Sequence, residues 1–278
     1  MLKGKTALVT GAGRGIGRGI ALHLAALGAR VALVSRTTEQ LTSLEAEIAA
    51  AGGSSVAIAG SIADEAGVEA VVGAAYAAFG RLDILVNNAG IVEEAAFLDI
   101  SMESWQRVIG TNLTGSFLMM QRAARRMKDH GGGAIINIAS IDARGYDGPQ
   151  ASYVASKAGL VGLTRDAATS LARHGIRVNT VSPGWVRTPM VENFLNPEQL
   201  DYMLHNFNRV PMRRLVEVGE VAAAVAFLAS DVASGITGID IPVDGGTLAT
   251  LGVFESLPGQ GPRHDETGER APSAGGEA

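Results

Sequence analysis

Short runs of aliphatic, often β-branched residues recur along this chain, and each is followed by a stretch with helical spacing. Strands are predicted at Thr6–Thr10, Arg30–Ser35, Ser55–Gly60, Ile84–Asn87, Ala134–Ala139, Arg177–Val181 and Ile239–Val243. Helices are predicted between them, at Gly15–Leu27, Glu39–Ala50, Asp64–Phe79, Glu103–Lys128, Ser152–Arg173 and Glu217–Ala229. Strands that alternate with helices pair in parallel through crossovers. Most of the runs are apolar on both faces, as a sheet covered by helices on both sides requires. The predicted fold is therefore α/β, a Rossmann-type doubly wound, seven-stranded, mainly parallel sheet with helices on both faces, in a single domain over residues 1–252.

Two segments leave this pattern. Residues 189–215 interrupt the alternation with short helical pieces, and a late insertion of this kind reads as a substrate lid. Residues 253–278 form a C-terminal extension, of which 258–278 holds Gly, Pro and charge with almost no large apolar side chain and reads as disordered. The chain has 278 residues, 47% of them hydrophobic, enough for a large core. Its net charge of −5 and the absence of a basic block argue against a nucleic-acid surface. The absence of Cys excludes disulfides, thiolate metal sites and a Cys nucleophile. No signal-peptide pattern precedes the first strand, and no apolar stretch approaches the ~20 residues that span a bilayer, so a cytoplasmic protein without membrane association is expected.

The first strand runs into Thr10-Gly11-Ala12-Gly13-Arg14-Gly15-Ile16-Gly17 and then a helix. Glycines let the backbone turn sharply and approach a pyrophosphate, and the helix N-terminus offers free N–H groups and a favourable dipole. Gly11, Gly15, Ile16 and Gly17 are thus dinucleotide-binding candidates. The second strand ends in Ser35-Arg36, where an acidic residue would accept from the ribose 2′-OH of NAD; Arg36, with Arg14 in the loop, suits a 2′-phosphate instead. NADP(H) is the expected cofactor over NAD(H).

Tyr153 and Lys157 stand four apart in a predicted helix, on one face and one turn from each other. An ammonium near a phenol favours the phenolate, so Lys157 is expected to lower the Tyr153 pKa toward neutrality and fit it for proton transfer. Ser140 ends a buried strand, where ligands sit in open α/β sheets. Asn112 lies inside an otherwise apolar helix, where its propensity is poor, and such a misfit marks a functional position.

Thr10–Gly17, Asn87–Gly90, Asn112, Ser140, Tyr153/Lys157 and Pro183-Gly184 resemble, in order and spacing, the motifs of the short-chain dehydrogenases/reductases, over residues 3–246. The resemblance implies that Tyr153 is the general acid/base, that Ser140 polarises the substrate carbonyl, and that Lys157 binds the nicotinamide ribose and tunes Tyr153. It further implies that Asn112 holds a water in a proton relay behind Lys157. Asn87, Ala89 and Gly90 would line the cofactor, and Pro183, Gly184, Val186 and Thr188 would contact the nicotinamide. The family often has an Asp after the third strand that touches the adenine; the matching position here is Ser61, beside Ile62, with Asp64 three residues on. No metal is implied, and a homotetramer is implied by analogy. Pocket walls would come from Ile91–Glu94, Ile141–Gln150, Trp185 and the lid, with Glu93, Glu94, Asp142, Arg144, Tyr146 and Asp147 as polar candidates beside Val92 and Met190. The expected reaction interconverts a secondary alcohol and a ketone with NADP(H). The alternatives are a 3-oxoacyl-thioester reductase, with Arg125, Arg126 and Lys128 or Arg213 and Arg214 meeting an acidic carrier, an NAD-dependent alcohol or sugar dehydrogenase, and a non-catalytic cofactor-binding protein.

Overall fold

Alternate residues along each central strand enter opposite apolar layers. Ala7 and Val9, Val31 and Leu33, and Ala134 and Ile136 point to one side; Leu8, Ala32, Val34 and Ile135 point to the other, all of them buried. A slip of one residue would exchange the two layers, so burial on both faces fixes the register. The computed structural model describes residues 1–145 and 148–249, apart from the side chains of Met190 and Phe194. The extension 253–278, its tail 258–278, the pocket candidates Tyr146 and Asp147, and the Met190 side chain lie outside the described residues.

In chain order the larger elements are β1 (Thr6–Thr10), α1 (Gly15–Ala26), β2 (Arg30–Ser35), α2 (Thr38–Ala50), β3 (Ser54–Ala59), α3 (Glu65–Phe79) and β4 (Ile84–Asn87). There follow α4 (Met102–Ile109), α5 (Ser116–Met127), β5 (Gly133–Ile138), α6 (Ala151–Leu171), β6 (Ile176–Pro183), β7 (Val186–Arg187) and α7 (Pro189–Phe194). The last are α8 (Pro197–His205), β8 (Val216–Glu217), α9 (Val218–Ala229) and β9 (Asp240–Val243). The main sheet has seven strands in the order β3-β2-β1-β4-β5-β6-β9, every neighbouring pair parallel. The expected Rossmann-type sheet is thus present. Helices α1, α2 and α9 cover one face and α3, α5 and α6 the other. Met1–Leu248 form one compact unit.

The strand order reverses between β1 and β4, and in open sheets the crevice at such a reversal receives the ligand. The turns that follow β1 and β4 are the glycine loop and Asn87–Gly90. At the opposite end of the same two strands Asp83 accepts hydrogen bonds from the Thr6 amide (2.8 Å), Thr6 Oγ1 (3.0 Å) and Arg81 Nε, which ties the strands where no ligand is needed.

One predicted helix is not continuous. Over Glu103–Lys128 the chain forms α4, a π-helical segment Gly110–Gly115, and α5. A π-turn inserts an extra residue and rotates what it carries, and such turns gather at functional sites. The excursion 189–215 contains α7 and α8 and builds a small core of its own from Met203, Phe207, Val210 and Leu215, with Trp185 edge-on to Phe207 at 5.6 Å. Its two ends meet, because β7 and β8 pair in parallel and the Val216 amide donates to Trp185 O at 2.8 Å.

Candidate active site

Thr10 ends β1 fully buried, and its hydroxyl accepts from the amides of Asn88 (3.0 Å) and Ala89 (3.1 Å). Asn88 Nδ2 donates in return to the carbonyls of Thr10 (3.0 Å) and Gly11 (3.2 Å). The two turns at the crevice are therefore clamped to each other. Gly11 and Gly15 hold φ of +66° and +56°, and a Cβ on Gly17 would stand 2.2 Å from Gly11 O. No side chain caps α1, so the amides of its first turn keep their donor capacity at the mouth of the crevice. This loop fits a dinucleotide pyrophosphate. Asn88, absent from the predicted residues, is the clamp; its two bonds to the loop were visible in the sequence only as a second Asn in Asn87–Gly90.

Ser35 and Arg36 lie across from this loop at the end of β2. Arg14 and Arg36 are exposed, and among the described residues neither enters an ion pair. Ile62 is buried, while Ser61 Oγ accepts from the Ala63 amide at 3.1 Å. Asp64 caps α3 through the Gly67 amide at 2.8 Å, which occupies its carboxylate at the helix start. Ala89 and Gly90 border the crevice, with Gly90 beside Asn112 and Lys157. Asn87 departs from its expected place along the cofactor: its side chain is buried beneath the site and donates to Asn137 Oδ1 at 2.9 Å. That Asn137 donates to Thr164 Oγ1 (2.9 Å), which also accepts from Thr180 Oγ1 (2.9 Å), so β4, β5, α6 and β6 share one buried polar network. Pro183 ends β6, Gly184 follows against Asp244, Val186 is buried in β7, and Thr188 caps α7 with its methyl nearest the Gly15 turn.

Asn112 sits in the π-turn. Its Oδ1 accepts from the Ile91 amide (2.8 Å), and its Nδ2 donates to Ile91 O (2.9 Å) and Ser156 Oγ (3.1 Å). The side chain is spent on three bonds that hold the β4–α4 loop against α6. Its carbonyl, which accepts from Ser116 Oγ at 2.8 Å, is the remaining polar group it could offer a water.

Lys157 is buried and donates from Nζ to Ile138 O at 2.7 Å, with Nζ 5.4 Å from the Tyr153 ring centroid. Burial lowers its pKa to about 8. Tyr153 runs against the expected lowering. Burial pushes its phenol up to about 12, opposed by a hydrogen bond with Ser140 and reinforced by the charge of Asp142. The physical reason is placement: the ammonium lies over the ring and is directed at a backbone carbonyl, so it does little for the phenolic oxygen.

Residues 11–247 match the sequence profile of a family described as enoyl-(acyl carrier protein) reductase. Over 256 residues the chain is 42% identical to the L-rhamnose 1-dehydrogenase (NAD(P)(+)) of Azotobacter vinelandii, covering 90% of this chain and 99% of that protein. It is 43% identical to the 3-oxoacyl-(acyl-carrier-protein) reductase of Staphylococcus aureus strain Mu50, over 87% of this chain and 97% of that one. A short-chain type dehydrogenase/reductase from Mycobacterium marinum superposes with a TM-score of 0.83 at 40% identity, covering 90% of this chain and 97% of that structure. The chain belongs to the short-chain dehydrogenase/reductase family. It is an oxidoreductase of that family.

In this short-chain dehydrogenase/reductase a cleft of about 170 Å³ opens beside the Tyr153–Lys157 turn. Val92, Ser140, Ile141, Asp142, Gln150, Tyr153, Gly184 and Trp185 line it. Its polar lining differs from the expected one. Glu93 turns away to Arg107 (2.9 Å) and Ser104, which hold its carboxyl down at about 2. Arg144 turns away to the buried carboxylate of Asp240 at 2.8 Å. Among the described residues, the polar side chains left facing the cleft are Ser140, Tyr153, Asp142 and Gln150. Among the described residues no cluster of His, Asp and Glu could hold a metal ion, and no helix is long and apolar enough to cross a membrane.

Proposed function

We propose that the chain interconverts a ketone and a secondary alcohol with NADP(H), using Tyr153 as general acid/base. One observation carries the reading: Ser140 and Tyr153 share the wall of a single cleft, with buried Lys157 one turn behind and an uncapped helix N-terminus at the neighbouring crevice. Bound across the crevice, the nicotinamide would supply or accept the hydride. In reduction, the carbonyl oxygen accepts hydrogen bonds from Tyr153 Oη and from Ser140 Oγ, whose one proton turns to it from Asp142 Oδ2, and the two polarise the carbonyl carbon. A phenol held protonated up to about pH 12 is a proton donor throughout the neutral range, and it passes its proton to the oxygen as negative charge develops there. One hydride and one proton are gained, and the ketone becomes the alcohol. Lys157, by family resemblance, holds the ribose hydroxyls. Asn112 acts behind both, by fixing Ile91 and Ser156.

The preference for NADP(H) rests on Arg14 and Arg36, two cations unpaired among the described residues, beside the loop where a 2′-phosphate would lie. The carrier-protein alternative is weakened by its own candidate residues. Of its five cations, Arg126 stands over the Tyr76 ring at 4.9 Å and Arg214 is held by Glu220 at 2.8 Å, so these two are engaged within the chain. A homotetramer in the cytoplasm is part of the proposal. An apolar groove over Leu113, Phe117 and Leu163, between the π-turn and α6, offers a face for a second copy, and light scattering checks the mass.

The deciding test is Tyr153→Phe. Turnover of ketones followed at the nicotinamide absorbance should fall about 10²- to 10⁴-fold, the usual share of general acid–base catalysis, while NADPH still binds. Turnover that survives the change overturns the assignment, and a wild type that binds NADPH yet reduces nothing favours a cofactor-binding protein.

A further inference from the structure

Asp142 is an unusual neighbour for a carbonyl-polarising serine. It is 7% exposed, it lines the cleft, and no cation among the described residues forms an ion pair with it. Its place is fixed by its backbone: Ser140 caps the short helical turn Ile141–Ala143, and Ser140 Oγ accepts from the Asp142 amide at 3.1 Å. The carboxylate is held too. Oδ2 accepts from Ser140 Oγ (3.1 Å) and from Gln150 Nε2 (3.2 Å). Oδ1 receives no hydrogen bond from any described residue. The basic residue two positions on, Arg144, is diverted to Asp240. Oδ1 is not one of the buried atoms without a partner, so it meets the open cleft, while burial of the rest of the group raises its pKa. Such a group persists where a ligand completes it.

We propose that Asp142 is a specificity-determining residue whose Oδ1 accepts a hydrogen bond from a hydroxyl on the carbon next to the reacting carbonyl, so that the substrates are α-hydroxy ketones and the matching vicinal diols. The geometry follows from Ser140. Its hydroxyl lies between the carboxylate and the place of the substrate oxygen, so an atom one carbon from the carbonyl comes level with Asp142. The donor is a neutral hydroxyl and not an ammonium, because Lys157 already presents a positive charge to Asp142 and a second cation would meet it. Gln150 fixes the carboxylate from the other side, so the acceptor is oriented before the substrate arrives.

The proposal rests on the ketone-reductase reading, and the test separates the two. Three probes of one skeleton are compared with NADPH: propanone, 1-hydroxypropan-2-one and 1-aminopropan-2-one. The enzymes are wild type, Asp142→Ala and Asp142→Asn, with far-ultraviolet circular dichroism and NADPH affinity confirming that each variant is folded. A hydroxyl also activates the adjacent carbonyl inductively, so the change in selectivity between enzymes carries the conclusion. The ratio of kcat/KM for hydroxypropanone over propanone should fall about 10- to 100-fold in Asp142→Ala, the range for a hydrogen bond to a charged group. Asp142→Asn, whose amide oxygen still accepts, should keep part of the preference. A ratio unchanged within about 2-fold in Asp142→Ala overturns the proposal, as does a wild type that prefers aminopropanone, or one that reduces propanone but not hydroxypropanone. Tyr153→Phe is run in parallel: if it retains full turnover, the underlying reading fails whatever the Asp142 variants do.

Discussion

Replacing Asn112 by Ala removes three hydrogen bonds at once, two to the backbone of Ile91 and one to Ser156 Oγ. Each contributes about 1 kcal/mol net, so the expected loss of stability is about 3 kcal/mol, and more if the Ile91 amide is left dry. At this chain length 1 kcal/mol moves a melting point by roughly 2–4 °C, so the variant should melt about 6–12 °C lower at equal protein concentration. The functional effect follows from the same bonds. Ile91 precedes Val92, which walls the cleft, so freeing it should raise KM for ketones more than it lowers NADPH affinity. Asn112→Asp sharpens the test, because it keeps an acceptor for the Ile91 amide, loses both donors, and aims a carboxylate at Ile91 O. It should be no more stable than Asn112→Ala. A double-mutant cycle with Ser156→Ala isolates the third bond. A melting shift below about 2 °C in Asn112→Ala, or equal stability of Asn112→Asp and wild type, refutes the reasoning.

Arg36→Asp should raise the NADPH dissociation constant by at least about 10-fold and leave that of NADH nearly unchanged, the loss of one charge-assisted contact to phosphate; titration with both cofactors checks it, and equal losses would sink the NADP preference. Lys157, lowered from 10.5 to about 8, takes up fewer protons folded than unfolded between those values. Stability should therefore rise with pH from about 8 to 10.5, by at most about 3 kcal/mol, in urea titrations at pH 7.5 and 10, and Lys157→Met should abolish the rise. Gly17→Ala places a Cβ 2.2 Å from Gly11 O and 2.4 Å from Asn88 Nδ2. It should cost about 1–3 kcal/mol of stability by overpacking and abolish dinucleotide binding, measured by calorimetry.

The seven long strands and most helices were legible because burial on both faces leaves a strong pattern, and the ends of β1, β2 and β4 agree with the predicted ones residue for residue. The glycine loop was legible from its place after β1, and Tyr153 and Lys157 from their spacing. The π-turn was not, since the pattern of apolar residues does not distinguish bonding to the fifth residue from bonding to the fourth. Asn112 did signal it, as a misfit, and its side chain bonds Ile91 and Ser156. The pocket charges were equally hidden. Glu93, Arg144 and Asp142 look alike in a loop sequence, and only their partners, Arg107 for the first and Asp240 for the second, reveal that the third alone faces the cleft. The Tyr153 pKa was misjudged because helical spacing gives the distance between two side chains and not the direction in which an ammonium points.

The joined ends of the excursion have an evolutionary corollary. Since Val186 and Val216 are neighbours in a parallel pair, the intervening chain departs and returns at a single point on the sheet. Its length can drift between descendants at a closure cost that grows only logarithmically, without moving any strand beneath it. A lineage can therefore exchange this one module, with its own small core, while the sheet stays fixed.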